Sequence, residues 1–238
     1  MLQNQIAARM MIAQQRNGGL IVLGTGAPII QVALDFPTLD EALKVAEIAV
    51  KAGVDWIEAG TVLINAQGYG TIGKLAQAFP GYPVLADFKT MDGGGRNVQI
   101  THEQGGKLMT VCGNAPDETI RAATKASQAT GVSVVIDTIG VKTQVVRIKE
   151  CVEWGAHAIY LHYGHDQHNN DPTRDSTQWI AEVKAQVNIP IGVGCFGISD
   201  AVRAVGLGAE IIAVGHPVIS SKDPYTELKR FVTEVKEA

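Results

Sequence analysis

The densest run of reactive side chains in this 238-residue sequence is Ala86-Asp87-Phe88-Lys89-Thr90-Met91-Asp92-Gly93-Gly94. Residues 87 and 89 are two apart, so in an extended segment their side chains share a face. A carboxylate beside a lysine keeps the ammonium charged and offers a ligand to a divalent cation. Lys89 lies between Asp87 and Asp92, which favours a cation that steadies a developing oxyanion over an amine nucleophile. Glu58 precedes Gly60 by two residues; it is expected either to complete an oxygen site for Mg²⁺ with Asp87 or simply to pair with Lys89. His162 opens His-Tyr-Gly-His-Asp-Gln, and an imidazole there can move protons near neutral pH. His162, His165 and His168 recur every third residue, but a loop gives that spacing no fixed geometry, so zinc is disfavoured.

A second group of residues suits an anion. Gly192-Val-Gly194-Cys-Phe-Gly197 has the dinucleotide-loop spacing. It falls late in the chain, however, and no acidic residue closes the next strand, which ends Val214-Gly215-His216. A phosphate cradle is the better reading, with Gly194 and Gly197 as one half and Gly215 and His216 as the other. Gly24 to Pro28 resembles a phosphate loop in composition, but no helix follows it, and it is expected to be a linker.

Positioning these groups requires a regular scaffold, and the hydrophobic pattern supplies one. Short apolar runs at 29–34, 54–58, 83–86, 108–112, 132–136, 157–161, 190–193 and 210–214 read as buried parallel strands. Helix-period segments separate them, such as 39–52 and 116–129; the latter has Pro116 at its expected first helical position and ends before Gly131. Eight alternations predict a single (β/α)₈ TIM barrel over residues 29–238. The strand ends then carry Asp35, Glu58, Asp87 with Lys89, Asp137 and His162, all at the one open face where such barrels place their chemistry. Residues 1–28 are expected to be an N-terminal extension, with an amphipathic helical stretch over 2–15.

The totals agree with a globular enzyme. Hydrophobic residues make up 46% and charged residues 18% of the chain. A net charge of −4 provides no general basic surface for nucleic acid. No apolar run is long enough to span a bilayer, and no signal peptide is recognisable. Cys112, Cys151 and Cys195 form no pair motif and are expected to be buried thiols in a reducing cytoplasm.

The assembled motifs resemble the orotidine monophosphate decarboxylase superfamily, whose signature Asp-x-Lys-x-x-Asp appears as Asp87, Lys89 and Asp92. Gln31-Val-Ala-Leu-Asp35-Phe, Gly53-Val-Asp-Trp-Ile-Glu58-Ala-Gly-Thr61, Ala115-Pro-Asp-Glu-Thr-Ile120 and His162-Tyr-Gly-His-Asp166-Gln extend the likeness, most closely to its 3-hexulose-6-phosphate synthase members. The resemblance implies Mg²⁺-assisted aldol condensation of D-ribulose 5-phosphate with formaldehyde through an enediolate. It implies that Glu58 and Asp87 hold the metal, Lys89 steadies the enediolate without a Schiff base, His162 assists proton transfer and Asp35 binds a substrate hydroxyl. Asp92 would reach into a neighbouring subunit's site, making a homodimer. The superfamily's orotidine decarboxylases have lysine at the Glu58 position and threonine at that of Arg96. Its 3-keto-L-gulonate-6-phosphate decarboxylases, the nearest alternative, carry arginine where His165 stands at the substrate. A third alternative is a barrel that binds sugar phosphate without turnover. The chain departs from the synthase pattern at Gly194-Cys-Phe-Gly197, at His216 and in its leader.

Overall fold

Parallel strands buried on both faces must be apolar throughout, and the strands of this chain are. The computed structural model describes residues 27–238. In them β1 (Ile29–Leu34), β2 (Trp56–Ala59), β3 (Val84–Thr90), β4 (Leu108–Cys112), β5 (Ser133–Asp137), β6 (Ala158–Leu161), β7 (Ile191–Cys195) and β8 (Ile211–Val214) pair in sequence order and close β8 onto β1. This is the expected barrel. Strand edges lie within two residues of expectation, except that β3 runs on to Thr90. The expected amphipathic stretch at 2–15 and the glycines at 24 and 26 lie outside the described residues.

The helices that return the chain start and stop on local chemistry. In α1 (Leu39–Ala52) the Thr38 hydroxyl accepts from the Glu41 N–H at 3.3 Å, and Gly53 ends the helix at φ 103°. α2 (Thr61–Gln67), α3 (Gly70–Ala78) and α4 (Gly94–Glu103) follow, the first two before β3 and the third after it. α5 (Asp117–Thr130) begins one residue later than expected: Pro116 has an extended ψ of 144° and caps the helix from outside. α6 (Gln144–Glu153), α7 (His165–Asn170), α8 (Ile180–Lys184), α9 (Ile198–Gly206) and α10 (Pro224–Lys236) complete the described ring. Among the described residues no helix is long and apolar enough to cross a membrane.

Two apolar layers hold the barrel. The larger lies between strands and helices and includes all three cysteines, each buried with a free thiol. The smaller, Ile29, Trp56, Leu85, Leu108, Val135, Ala158, Tyr160 and Ile211, is drawn from most of the strands and fills the interior. It forms an apolar floor beneath the polar strand ends. Burial of a side chain of this size contributes about 1.5–3 kcal/mol, so the floor stabilises the barrel and seals the site from below.

Candidate active site

β3 leaves regular register where its chemistry lies. Ala86 pairs with Met109, and the next pairing is Thr90 with Val111, so four steps on β3 match two on β4. The excess is taken up over residues 87–89, with Lys89 at φ 45°, the one non-glycine residue of positive φ among the described residues. That conformation costs roughly 1–2 kcal/mol and persists only where the surroundings impose it. Thr110 on β4 does so: its hydroxyl accepts from the Lys89 N–H at 2.9 Å and donates to Asp87 Oδ1 at 2.8 Å. Asp87 and Lys89 therefore meet as expected, but through a bulge rather than through regular alternation.

The Lys89 ammonium pairs with Asp87 Oδ2 and donates to Thr61 Oγ1 at 3.0 Å. Thr61 in turn donates to Asp87 Oδ2 at 2.6 Å. Burial works against charge on Lys89, yet Asp87, Asp137 and Glu58 outweigh it and hold the ammonium above the ordinary lysine range. Burial also opposes charge on Asp87, and there Lys89 and the hydroxyls of Thr61 and Thr110 win, keeping the carboxyl below its usual range. The sequence pattern suggested Asp92 as the second partner of Lys89. The structure gives that place to Asp137, 4.0 Å from Nζ, while Asp92 is exposed and accepts from the Gly93 N–H at 2.7 Å.

Around this pair the carboxylates outnumber the cations. Burial, then Asp87 and Asp35, drives Glu58 well above the usual carboxylate range. Asp35, just beyond β1, is raised by burial and by Asp87, and its Oδ1 accepts from the Val62 N–H at 3.3 Å. Asp35, Glu58 and Asp87 thus lie within electrostatic reach of one another and of the one ammonium. Among the described residues no group of three or more acidic, histidine or cysteine side chains forms a ready-made cage. Mg²⁺ requires no such cage, because one or two carboxylates with substrate and water oxygens commonly hold it, and Glu58 and Asp87 are ligands of that chemical type.

His162 follows β6, and its Nδ1 lies 2.7 Å from Oδ2 of the buried Asp137. Such a contact orients the ring and favours the tautomer that carries its proton on Nδ1. The other histidines are engaged differently. His168 stacks on Phe196 at 4.2 Å between ring centroids, and His165 is exposed at the start of α7. His216, after β8, has Nδ1 2.9 Å from Ser220 Oγ and its ring tilted against Phe36.

The glycines after β7 divide into separate tasks. A Cβ on Gly192 would collide with the Tyr160 ring, so this glycine makes room for an aromatic side chain in the barrel. Gly194 is exposed and would meet nothing within 4 Å, which leaves open space at the strand end. Gly197 caps α9 without a side-chain hydrogen bond, but the neighbouring Phe196 N–H already donates to Asp200 Oδ2 at 2.7 Å. One amide of the expected cradle is therefore occupied by the chain's own acid. Gly215 follows β8 on the same face of the barrel.

Several working groups received no role from the sequence. Asp137 stood out only as one strand-end acid among several. Thr61 and Thr110 had one signal in common: each is a polar group in or beside an otherwise apolar, buried strand, where it must find a partner.

The sequence model of the "Orotidine 5'-phosphate decarboxylase / HUMPS family" matches residues 28–231. The 3-hexulose-6-phosphate synthase of Mycobacterium gastri is 34% identical over 200 residues, covering 84% of this chain and 96% of that enzyme. A crystal structure of a 3-hexulose-6-phosphate synthase superposes with a TM-score of 0.81 at 32% identity, over 87% of this chain and 99% of the other. The KGPDC of Streptococcus mutans, solved as a ligand complex, shares the fold, with a TM-score of 0.81 at 24% identity over 88% of this chain and 98% of that one.

Proposed function

Because the chain belongs to the orotidine 5'-phosphate decarboxylase / HUMPS family, we propose that it is a lyase of the 3-hexulose-6-phosphate synthase type, condensing formaldehyde with D-ribulose 5-phosphate. The observation that carries this reading is the joined pair of devices at the barrel mouth: Lys89 locked in charged form against Asp87, and His162 held by Asp137. In the reaction a proton leaves the carbon beside the ketone and its electron pair forms an enediolate. That pair then attacks the formaldehyde carbon, and the new hydroxyl takes up a proton.

Lys89 provides a fixed positive charge and hydrogen-bond donor for the enediolate oxygen. His162, presenting Nε2, carries the proton. Asp35 takes a substrate hydroxyl, and Glu58 with Asp87 would hold Mg²⁺, which supplies Lewis-acid stabilisation of the same oxygens when bound. The phosphate lies towards Gly194, Gly197, Gly215 and His216, with His165 at the edge of the substrate. Asp92, exposed just beyond β3, completes the site of a second copy in a homodimer. Residues 29–238 form the catalytic domain and residues 1–28 an appendage, in a cytoplasmic enzyme.

The direct test is turnover of D-ribulose 5-phosphate with formaldehyde, followed by appearance of the hexulose phosphate. We expect turnover that stops on exhaustive chelation and returns with Mg²⁺. Full activity after chelation removes the cation from the account. Carbon dioxide release from 3-keto-L-gulonate 6-phosphate as the faster reaction assigns the chain to the decarboxylase branch, and turnover of neither leaves a binding barrel.

A further inference from the structure

Beneath the site a chain of hydrogen bonds crosses the barrel, and none of the roles above uses it. The Tyr160 hydroxyl on β6 donates to Gln31 Oε1 on β1, and Gln31 Nε2 donates to Glu58 Oε2 on β2. β6 and β1 are not neighbours in the sheet, so the Gln31 amide bridges the interior. Gln31 is fully buried, and Tyr160 and Glu58 are 8% and 7% exposed. The Tyr160 ring belongs to the apolar floor, so its hydroxyl is the polar tip of an otherwise apolar layer. Gly192 is the complementary feature: any side chain there would occupy the ring's position.

The direction of the chain matters. An amide can present oxygen or NH₂ to a carboxylate, and the two orientations are nearly isosteric. A phenolic O–H donated to Gln31 Oε1 selects the orientation that turns NH₂ towards Glu58. Glu58 is thereby held from behind by a donor, with its approach to the open face fixed.

We propose that Tyr160 and Gln31 are positioning residues that aim the Glu58 carboxylate and so set the affinity of the site for a divalent cation. The inference rests on the reading of Glu58 as a cation ligand. Partners that orient a ligand in this way typically change metal affinity or activity about 10–100-fold when removed.

The test uses Mn²⁺ as a paramagnetic probe, titrated into the full-length protein without substrate and read by electron paramagnetic resonance. Tyr160→Phe removes one oxygen and keeps the ring against Gly192, so the fold should survive, with melting temperature as the check. Gln31→Met is the second variant, removing the bridge itself. We expect each to bind Mn²⁺ about tenfold more weakly or worse, with KM for D-ribulose 5-phosphate changed less than about twofold once Mn²⁺ is saturating. In a Glu58→Gln background Tyr160→Phe should have no further effect. Unchanged affinity in both variants overturns the inference, as does an equal loss with and without Glu58. If the unmodified protein binds no Mn²⁺, the cation-site reading falls and this inference falls with it; that result differs from a failure confined to the variants.

Discussion

At the scale of single residues, charge state decides the chemistry. A Schiff-base lysine needs its pKa depressed, whereas the carboxylates around Lys89 raise it. Borohydride reduction in the presence of D-ribulose 5-phosphate should therefore trap no adduct, and a reduced adduct mapped to Lys89 by mass spectrometry would make the protein a covalent aldolase. Lys89→Ala should lower kcat by at least about 10²–10³, the effect of deleting one preorganised oxyanion donor. Glu58 is the opposite case, raised by burial and by Asp87 and Asp35. A carboxyl whose folded pKa exceeds its unfolded value loses stability as pH rises from the unfolded towards the folded value. In chelator at neutral pH, Glu58→Gln should raise the melting temperature, by an amount equivalent to roughly 0.5–2 kcal/mol. The advantage should fade as pH falls below the ordinary glutamate range, where both side chains are neutral. A variant no more stable than its parent at neutral pH contradicts this assignment of strain.

At the scale of elements, the site depends on backbone that departs from regularity. Gly60 separates β2 from α2; a Cβ there would collide with Asp35 Oδ1 and lie 2.8 Å from the Leu34 carbonyl. Gly60→Ala should displace Asp35 and raise KM for the sugar phosphate several-fold while the barrel still folds, which circular dichroism and steady-state kinetics together would check. Period and composition made the eight strands legible because each must be apolar across its whole buried length. The strand-end residues Asp35, Glu58, Asp87, Asp137 and His162 followed from the same reading. The β3 bulge did not, because Phe88, Lys89 and Thr90 alternate as an ordinary strand would, and the register is lost only against Thr110 on β4. For the same reason Asp137 could not be distinguished from Asp92 as the partner of Lys89. Proximity in sequence favoured Asp92, and barrel closure chose the residue two strands away. The Asp200 carboxylate at the Phe196 N–H was equally hidden, since a first-turn acid reads as an ordinary helix start.

At the scale of the whole molecule, the closed barrel brings distant acids and histidines to one mouth above an apolar floor, while Asp92 is exposed just beyond β3. If Asp92 serves a second copy, mixing folded Asp92→Ala and Lys89→Ala chains should restore part of the activity, because a hybrid dimer contains one intact composite site. A mixture that exchanges subunits and stays inactive assigns Asp92 to a role within its own chain. The central claim is that this mouth removes a proton from a ketose phosphate before any second substrate arrives. Proton exchange at the carbon beside the ketone of D-ribulose 5-phosphate, followed by NMR in D₂O without formaldehyde, tests it most directly. The unmodified protein with Mg²⁺ should wash out that proton stereospecifically, and Lys89→Ala and His162→Asn should slow the exchange at least about a hundredfold. Undiminished exchange in both variants, or hexulose phosphate formation by a protein that exchanges no proton, would contradict it.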